Sequence, residues 1–108
     1  MVRYMLDSNM IAYAKNRRPA SVLERLHQHD PSEICISAIT MAELEISVFD
    51  ATLEYEDIRH NLKSQGTLIG ANNMLIATHA KVLDLILVTH NTHEFSRVVG
   101  LKLKDWTI

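Results

Sequence analysis

Near its start the chain reads Tyr4-Met5-Leu6-Asp7-Ser8-Asn9. An apolar run ends abruptly in a carboxylate, and the two polar residues behind it are of the kind that begin helices. The pattern predicts a short buried strand, then Asp7, then a helix. In open α/β sheets, ligands bind in the crevice beyond the carboxyl ends of the strands, which is where Asp7 would lie. Asp7 is therefore either part of a site or only the cap of the next helix.

The composition is typical of a single globular domain covering residues 1–108. Hydrophobic residues make up 47% of the chain and the net charge is −2. These values exclude a disordered chain and a protein that holds nucleic acid by bulk positive charge. The single cysteine, Cys35, lies in an apolar run that predicts a buried side chain, and it allows no disulfide within the chain. We find no signal peptide and no apolar stretch of membrane-spanning length, and so expect a cytoplasmic protein.

The rest of the chain alternates strand patterns with helix patterns. The clearest strand is the continuous apolar run at residues 85–88, of the kind that parallel sheets bury on both faces. Alternation of this kind predicts an α/β fold with a mostly parallel sheet and helices on both faces. Further strands are expected at residues 33–37 and 101–103, and helices at 9–15, from Pro19, within 37–65 and at 72–83.

Four polar side chains are expected at the same edge of this sheet, near strand ends or helix starts: Asp7, Glu43, Asn73 and Glu94. Carboxylates gathered at one edge repel one another, and a hard divalent cation relieves that repulsion. Mg²⁺ and Mn²⁺ favour oxygen ligands, polarise phosphodiesters and lower the pKa of an attacking water. Surface acids are common, however, so four unrelated side chains are the alternative interpretation.

Five segments, at residues 5–9, 35–44, 69–80, 87–95 and 101–106, occur together and in the right order for a known family. On these segments the chain resembles the PIN-domain toxins of bacterial toxin–antitoxin operons, the VapC group. The resemblance implies a small PIN-like α/β fold and an Mg²⁺- or Mn²⁺-dependent endoribonuclease acting by metal-activated water. It also implies tRNA or another structured RNA as the target, and a VapB-type antitoxin that blocks the site. By position, Asp7, Glu43 and Glu94 match the metal-binding acids of the family.

Asn73 is a departure, because the family pattern has aspartate at this catalytic position. Asparagine keeps the shape and one carbonyl oxygen but loses the negative charge, so it binds Mg²⁺ less well and cannot take up a proton. We therefore expect weakened metal binding and low or absent ribonuclease activity. The alternative function is a catalytically inactive PIN-like module that acts through antitoxin or RNA binding.

The middle of the chain is a second departure, because one helix and an edge strand usual in the family are missing between Glu43 and Ile58. A single helix over residues 40–65 would be about 39 Å long at 1.5 Å per residue. It would carry Asp7 and Glu43 away from Asn73 and Glu94, so the halves would meet only in a domain-swapped homodimer. We favour this arrangement slightly over a break at residues 50–52 and a compact monomer.

Several further polar side chains lie close to these motifs. The basic residues Lys15, Arg17 and Arg18 could bind RNA phosphates. The alternative is that they only form a solvated loop. His90 and His93 flank the predicted site and could touch phosphate, but exposed loop histidines are the commoner case. The residues expected to contact RNA are Ser8, Asn9, Lys15, Arg17, Arg18 and Asn91.

Overall fold

The computed structural model describes residues 2–36 and 48–108. The predicted strands and helices are found within a few residues of their expected positions. Their order is β1 (Tyr4–Leu6), α1 (Ser8–Asn16), α2 (Ala20–His27), a 3₁₀ turn (Pro31–Glu33), β2 (Ile34–Ile36), α3 (Val48–Ser64), α4 (Ala71–Val82), β3 (Ile86–Val88), α5 (Thr92–Phe95) and β4 (Lys102–Lys104).

The four strands form one sheet in the order β2-β1-β3-β4, and all the strand pairs are parallel. Leu6 at the end of β1 lies opposite Ile36 on one side and Val88 on the other. The chain proceeds from β1 to one edge of the sheet and later from β3 to the other. The carboxyl ends of β1 and β3 therefore form a topological switch point, the place where open α/β sheets bind ligands.

Side chains that alternate along β1 point into two separate cores, as the pleat requires. Tyr4 and Leu6 pack with Met10, Val22 and Trp106 on the side of α1 and α2. Met5 packs on the opposite side, where the buried residues come from α3, α4 and the last third of the chain. That second cluster includes Ile58, Leu62, Ala77, Ala80, Leu87 and Phe95. The predicted arrangement, a parallel sheet with helices on both faces, is confirmed.

Helix α3 is where the structure departs from the expected middle of the chain. It is continuous through residues 50–52, so the alternative of a break there is wrong. It ends at Ser64, and Gly66 follows with φ +68°, a left-handed conformation that glycine adopts without a Cβ penalty. Thr67 N–H then donates to the carbonyl of Leu62, 2.8 Å away, and the chain turns back towards the sheet.

A single chain therefore closes its own sheet, with β1 from the first half paired to β3 from the second. The expected separation of the two halves is wrong because α3 packs on α4, which leads directly into β3. A domain swap is not shown. The predicted helix start near Thr40, and with it Glu43, lies outside the described residues.

Two smaller expectations also have an outcome. Cys35 is half-buried rather than buried, because β2 is an edge strand of the described sheet. Trp106, in contrast, is 1% exposed and packs on Tyr4 as part of the core. Across residues 2–36 and 48–108, every helix falls short of the length and apolar character needed to cross a bilayer.

Candidate functional site

Asp7 caps α1 and at the same time contacts the end of β3. Its Oδ1 accepts a hydrogen bond from the backbone N–H of Met10 at 2.9 Å, the bond expected of an N-cap side chain. Its Oδ2 accepts a hydrogen bond from the hydroxyl of Thr89 at 2.5 Å. The side chain is buried, with the residue only 6% exposed. The capping interpretation is therefore confirmed, and it leaves the same carboxylate at the switch point.

Thr89 connects Asp7 to the second half of the site. Because Leu6 lies opposite Val88, the residues that follow the two strands become neighbours. Thr89 is fully buried, and its hydroxyl also accepts a hydrogen bond from the N–H of Asn91 at 3.0 Å. Our sequence analysis missed this residue. The available signal was its position directly after the apolar run, which matches the position of Asp7 after β1.

Glu94 lies at the other end of this connection and accepts hydrogen bonds from two places in the chain. The side-chain amide of Asn91 donates to Oε2 at 2.8 Å, and the N–H of Gly70 donates to Oε1 at 3.1 Å. The bond from Asn91 contributes most to lowering the pKa of Glu94, followed by the bond from Gly70. The Asn73 side chain and the charge of Arg97 also lower this pKa, whereas burial raises it. The ionised form of Glu94 is favoured.

The structure thus brings three of the four predicted catalytic residues into one region. Asp7 and Glu94 are the ends of a line of hydrogen bonds through Thr89 and Asn91, and Asn73 joins it at Glu94. We call these five residues the edge network. Glu43, the fourth predicted residue, lies outside the described residues.

Asn73 lies in the first turn of α4, and its side chain is half-buried. An aspartate here would place a second negative charge beside Glu94. The neutral Asn73 side chain instead helps to lower the pKa of that carboxylate. Asn73 therefore stabilises part of the negative charge of Glu94, which a bound cation would otherwise stabilise.

Most of the predicted RNA-contact residues lie along α1 rather than in the edge network. Asn9 is exposed near the start of the helix, and Ser8 is its first residue. Lys15, Arg17 and Arg18 are exposed at its far end, about 12 Å from Asp7 at 1.5 Å per residue. Asn91 alone belongs to the network. The structure therefore separates the basic cluster from the carboxylates by the length of α1.

The donor chemistry at the edge network suits a hard divalent cation, but the described ligand set is small. Asp7 and Glu94 supply carboxylate oxygens, the ligands that Mg²⁺ and Mn²⁺ prefer. No group of three or more His, Cys, Asp or Glu side chains that could hold a metal occurs within residues 2–36 and 48–108. Of the four predicted catalytic residues, Asn73 is neutral and Glu43 lies outside the described residues. Only Asp7 and Glu94 therefore count as carboxylate ligands here.

Comparison with known proteins finds close relatives, although no family model matches the chain. The chain is 36% identical to ribonuclease VapC2 of Haemophilus influenzae over 132 aligned positions, covering 98% of this chain and 99% of the relative. It is 33% identical to the tRNA(fMet)-specific endonuclease VapC of Shigella flexneri, covering 99% and 100%. The alignments are longer than the 108 residues of this chain, so the relatives contain residues that it lacks.

Solved structures agree with this result. VapBC-1 from nontypeable Haemophilus influenzae matches with a TM-score of 0.81 and 33% identity over 100% of both chains. VapBC2 from Rickettsia felis, bound to a DNA fragment from its promoter, matches with a TM-score of 0.78 and 32% identity, covering 98% of this chain and 99% of that one. The predicted resemblance is confirmed: the chain belongs to the VapC family of ribonucleases, the toxins of toxin–antitoxin systems.

Proposed function

We propose that this protein is an Mg²⁺- or Mn²⁺-dependent endoribonuclease toxin whose activity is reduced by Asn73. The observation that carries the proposal is the edge network, which joins Asp7 to Glu94 at the switch point of a parallel sheet. The substrate we propose is tRNA or another structured RNA. Its support is the relative from Shigella flexneri, which is named a tRNA(fMet)-specific endonuclease.

Each residue of the edge network has a separate task in this proposal. Asp7 and Glu94, together with Glu43, would hold the cation. A bound Mg²⁺ or Mn²⁺ would supply positive charge against the phosphodiester and a lowered pKa for an attacking water. Thr89 fixes the orientation of the Asp7 carboxylate, and Asn91 fixes that of Glu94 and favours its ionised form.

Asn73 reduces this capacity in two ways. It removes one negative charge from the expected ligand set, which weakens attraction for a divalent cation. Its side chain also helps to lower the pKa of Glu94, so it already stabilises the ionised carboxylate that a cation would otherwise stabilise. Both effects act in the same direction, towards weaker metal binding and slower cleavage.

The test is to restore the charge with Asn73→Asp and to measure cleavage of a tRNA pool with Mg²⁺. We expect a gain of at least about tenfold, the lower end of what is lost when even an outer partner of a metal ligand is removed. The matched control is Asn72→Asp, because Asn72 is the exposed neighbour in the same helical turn. Adding Glu94→Gln to the Asn73→Asp variant should abolish the gain. An equal gain from both aspartate variants, or none from either, would count against the proposal.

The alternative function is a catalytically inactive PIN-like module that binds antitoxin or RNA. The observation that favours it is that Glu94 already has two donors, Gly70 and Asn91, while the neighbouring Asn73 brings no negative charge. Expression of the chain without an antitoxin separates the two functions. The weakened enzyme slows growth in its natural form, whereas the inactive module leaves growth unchanged.

We further propose a cytoplasmic protein with a VapB-type antitoxin as its partner, because the structural neighbours are VapBC complexes. A homodimer remains our expectation. Exchange of halves is not required for it, since one chain pairs β1 with β3 by itself. Light scattering on the purified chain tests the homodimer, and a particle mass of one chain at all concentrations would exclude it.

A further inference from the structure

His90 lies between two members of the edge network, Thr89 and Asn91, but its ring contacts other residues. Its Nδ1 is 3.0 Å from Oδ2 of Asp105 and 3.0 Å from the hydroxyl oxygen of Thr107. The edge of the ring meets Tyr13 of α1, with ring centroids 6.4 Å apart at 79°. The imidazole is nevertheless 61% exposed. The ring is therefore fixed by these contacts but still largely exposed to solvent.

The carboxylate that holds this ring is itself fixed. The Asp105 side chain is only 11% exposed, and its Oδ1 accepts hydrogen bonds from the N–H and the hydroxyl of Thr107 at 2.9 and 2.6 Å. Burial raises the pKa of Asp105, but the hydrogen bonds from Thr107 and His90 outweigh it and lower the pKa overall. An ionised Asp105 accepts a hydrogen bond from Nδ1–H, so Nε2 is the ring nitrogen left for another partner.

Two other histidines show why this arrangement is more than a packing contact. His29 also pairs with a carboxylate, Glu33, but its ring is stacked on Trp106 with an interplanar angle of 8° and centroids 5.2 Å apart. That ring is part of the core. His93 is exposed on α5, but no carboxylate holds its ring within the described ranges. His90 alone of the three combines a fixing carboxylate with an exposed Nε2.

We propose, on the basis of the proposed ribonuclease function, that His90 binds a phosphate of the RNA strand beside the cleaved bond, with Asp105 as its positioning residue. The ring is adjacent in sequence to Asn91, which holds Glu94. It also contacts Tyr13, which lies on α1 between Asp7 and the exposed basic residues Lys15 and Arg17. A strand bound across His90 would therefore run from the carboxylates towards that basic cluster.

Phosphate is the ligand that fits this geometry. With Nδ1–H directed at Asp105, Nε2 donates an N–H to a phosphate oxygen when the ring carries its second proton, and the same proton supplies a positive charge. The groups facing the ring are Asp105, Thr107 and Tyr13, so its protonated form is paired with one carboxylate. This contact would strengthen RNA binding together with Lys15, Arg17 and Arg18. It would place no further charge beside Glu94.

The test uses the natural chain in EDTA, so that binding is measured without cleavage. Protein with ¹⁵N-labelled histidine is titrated with inorganic phosphate and with a single-stranded RNA octamer, and the ring nitrogens are followed by NMR. We expect both probes to shift Nε2 of His90 and to leave His93 unchanged. The matched variants are His90→Gln and His93→Gln, both at exposed side chains.

At pH 6 we expect His90→Gln to weaken octamer binding about fivefold, as for one exposed charged contact. For this variant the slope of log affinity against log salt concentration should be shallower by about 0.7, the value for one single-stranded phosphate contact. Asp105→Asn should produce a smaller loss of affinity and a smaller shift of His90 Nε2 on addition of the octamer. His93→Gln should change neither quantity.

Unshifted His90 nitrogens with both probes would overturn the inference, as would equal losses from His90→Gln and His93→Gln. The ribonuclease proposal fails separately. If Asn73→Asp never cleaves RNA while His90 still responds to the octamer, the enzyme assignment is wrong and the phosphate contact stands. If Asn73→Asp cleaves RNA at the same rate with and without His90→Gln, and His90 does not respond, only the phosphate contact is wrong.

Discussion

The two ends of the edge network are both carboxylates, but they are built differently. Asp7 is 6% exposed, and its two hydrogen bonds, from Met10 and Thr89, tie β1 to α1 and to β3. Glu94 is half-buried, and its donors position it and favour its ionised form. Removing Asp7 should therefore affect folding and function together, whereas removing Glu94 should affect function almost alone.

The largest effect on stability is expected from Asp7→Ala. The change removes a helix cap, worth about 1 kcal/mol, and leaves the buried hydroxyl of Thr89 without its acceptor, at about 1–3 kcal/mol more. We expect urea unfolding to show a loss of about 3 kcal/mol. Glu94→Ala is the matched comparison and should cost no more than about 1 kcal/mol, because its partners can turn to water. Equal losses from the two variants would remove the distinction between the two ends.

A smaller effect is expected from Thr89→Val, which preserves volume but removes the hydroxyl between the two ends. The variant leaves Asp7 without one donor and Asn91 N–H without its acceptor, at a cost of about 1–2 kcal/mol. The control is Thr78→Val on α4, which is also buried but donates only to the carbonyl of Met74 in its own helix. It should cost about 0.5 kcal/mol or less, because that carbonyl keeps its helical bond. Thermal or urea unfolding of both variants would show whether the network, rather than burial, sets the cost.

The smallest effect is on the titration of Glu94. Because the folded-state pKa of Glu94 is lowered, its contribution to stability is present above the ordinary glutamate pKa and is lost as pH falls through the folded value. Asn91→Ala removes the main cause of that shift, so the pKa of Glu94 should rise towards its ordinary value. The variant should then lose less stability on acidification than the natural chain. Carbon NMR of the glutamate carboxyl groups measures this directly, and an unchanged Glu94 titration would show that Asn91 does not control it.

The sequence predicted most of the fold because its strands are marked locally. The apolar run at residues 85–88 and the sudden change at Asp7 are both readable without neighbours. The parallel arrangement followed from the alternation with helices. The return of the chain after α3 could not be predicted, because helical periodicity through residues 50–52 fixes a helix but not what it packs against.

The sequence predicted residues of the candidate site but not the contacts between them. Asp7, Asn73 and Glu94 carry recognisable polar signals, whereas the contact between Thr89 and Asp7 depends on the register of two strands 82 residues apart. The change at Asn73 was interpreted as a lost ligand. Its proximity to Glu94, whose pKa it helps to lower, is visible only in three dimensions.

The most direct test of the central claim is the location and strength of Mn²⁺ binding, measured by paramagnetic broadening of backbone amide signals. For the natural chain we expect weak broadening centred on Gly70, Thr89 and Asn91, the amides around the edge network. In the Asn73→Asp variant the same amides should broaden at an Mn²⁺ concentration that is lower by a factor of about ten or more. Broadening centred elsewhere in both proteins, or an identical Mn²⁺ dependence at these amides, would contradict the account.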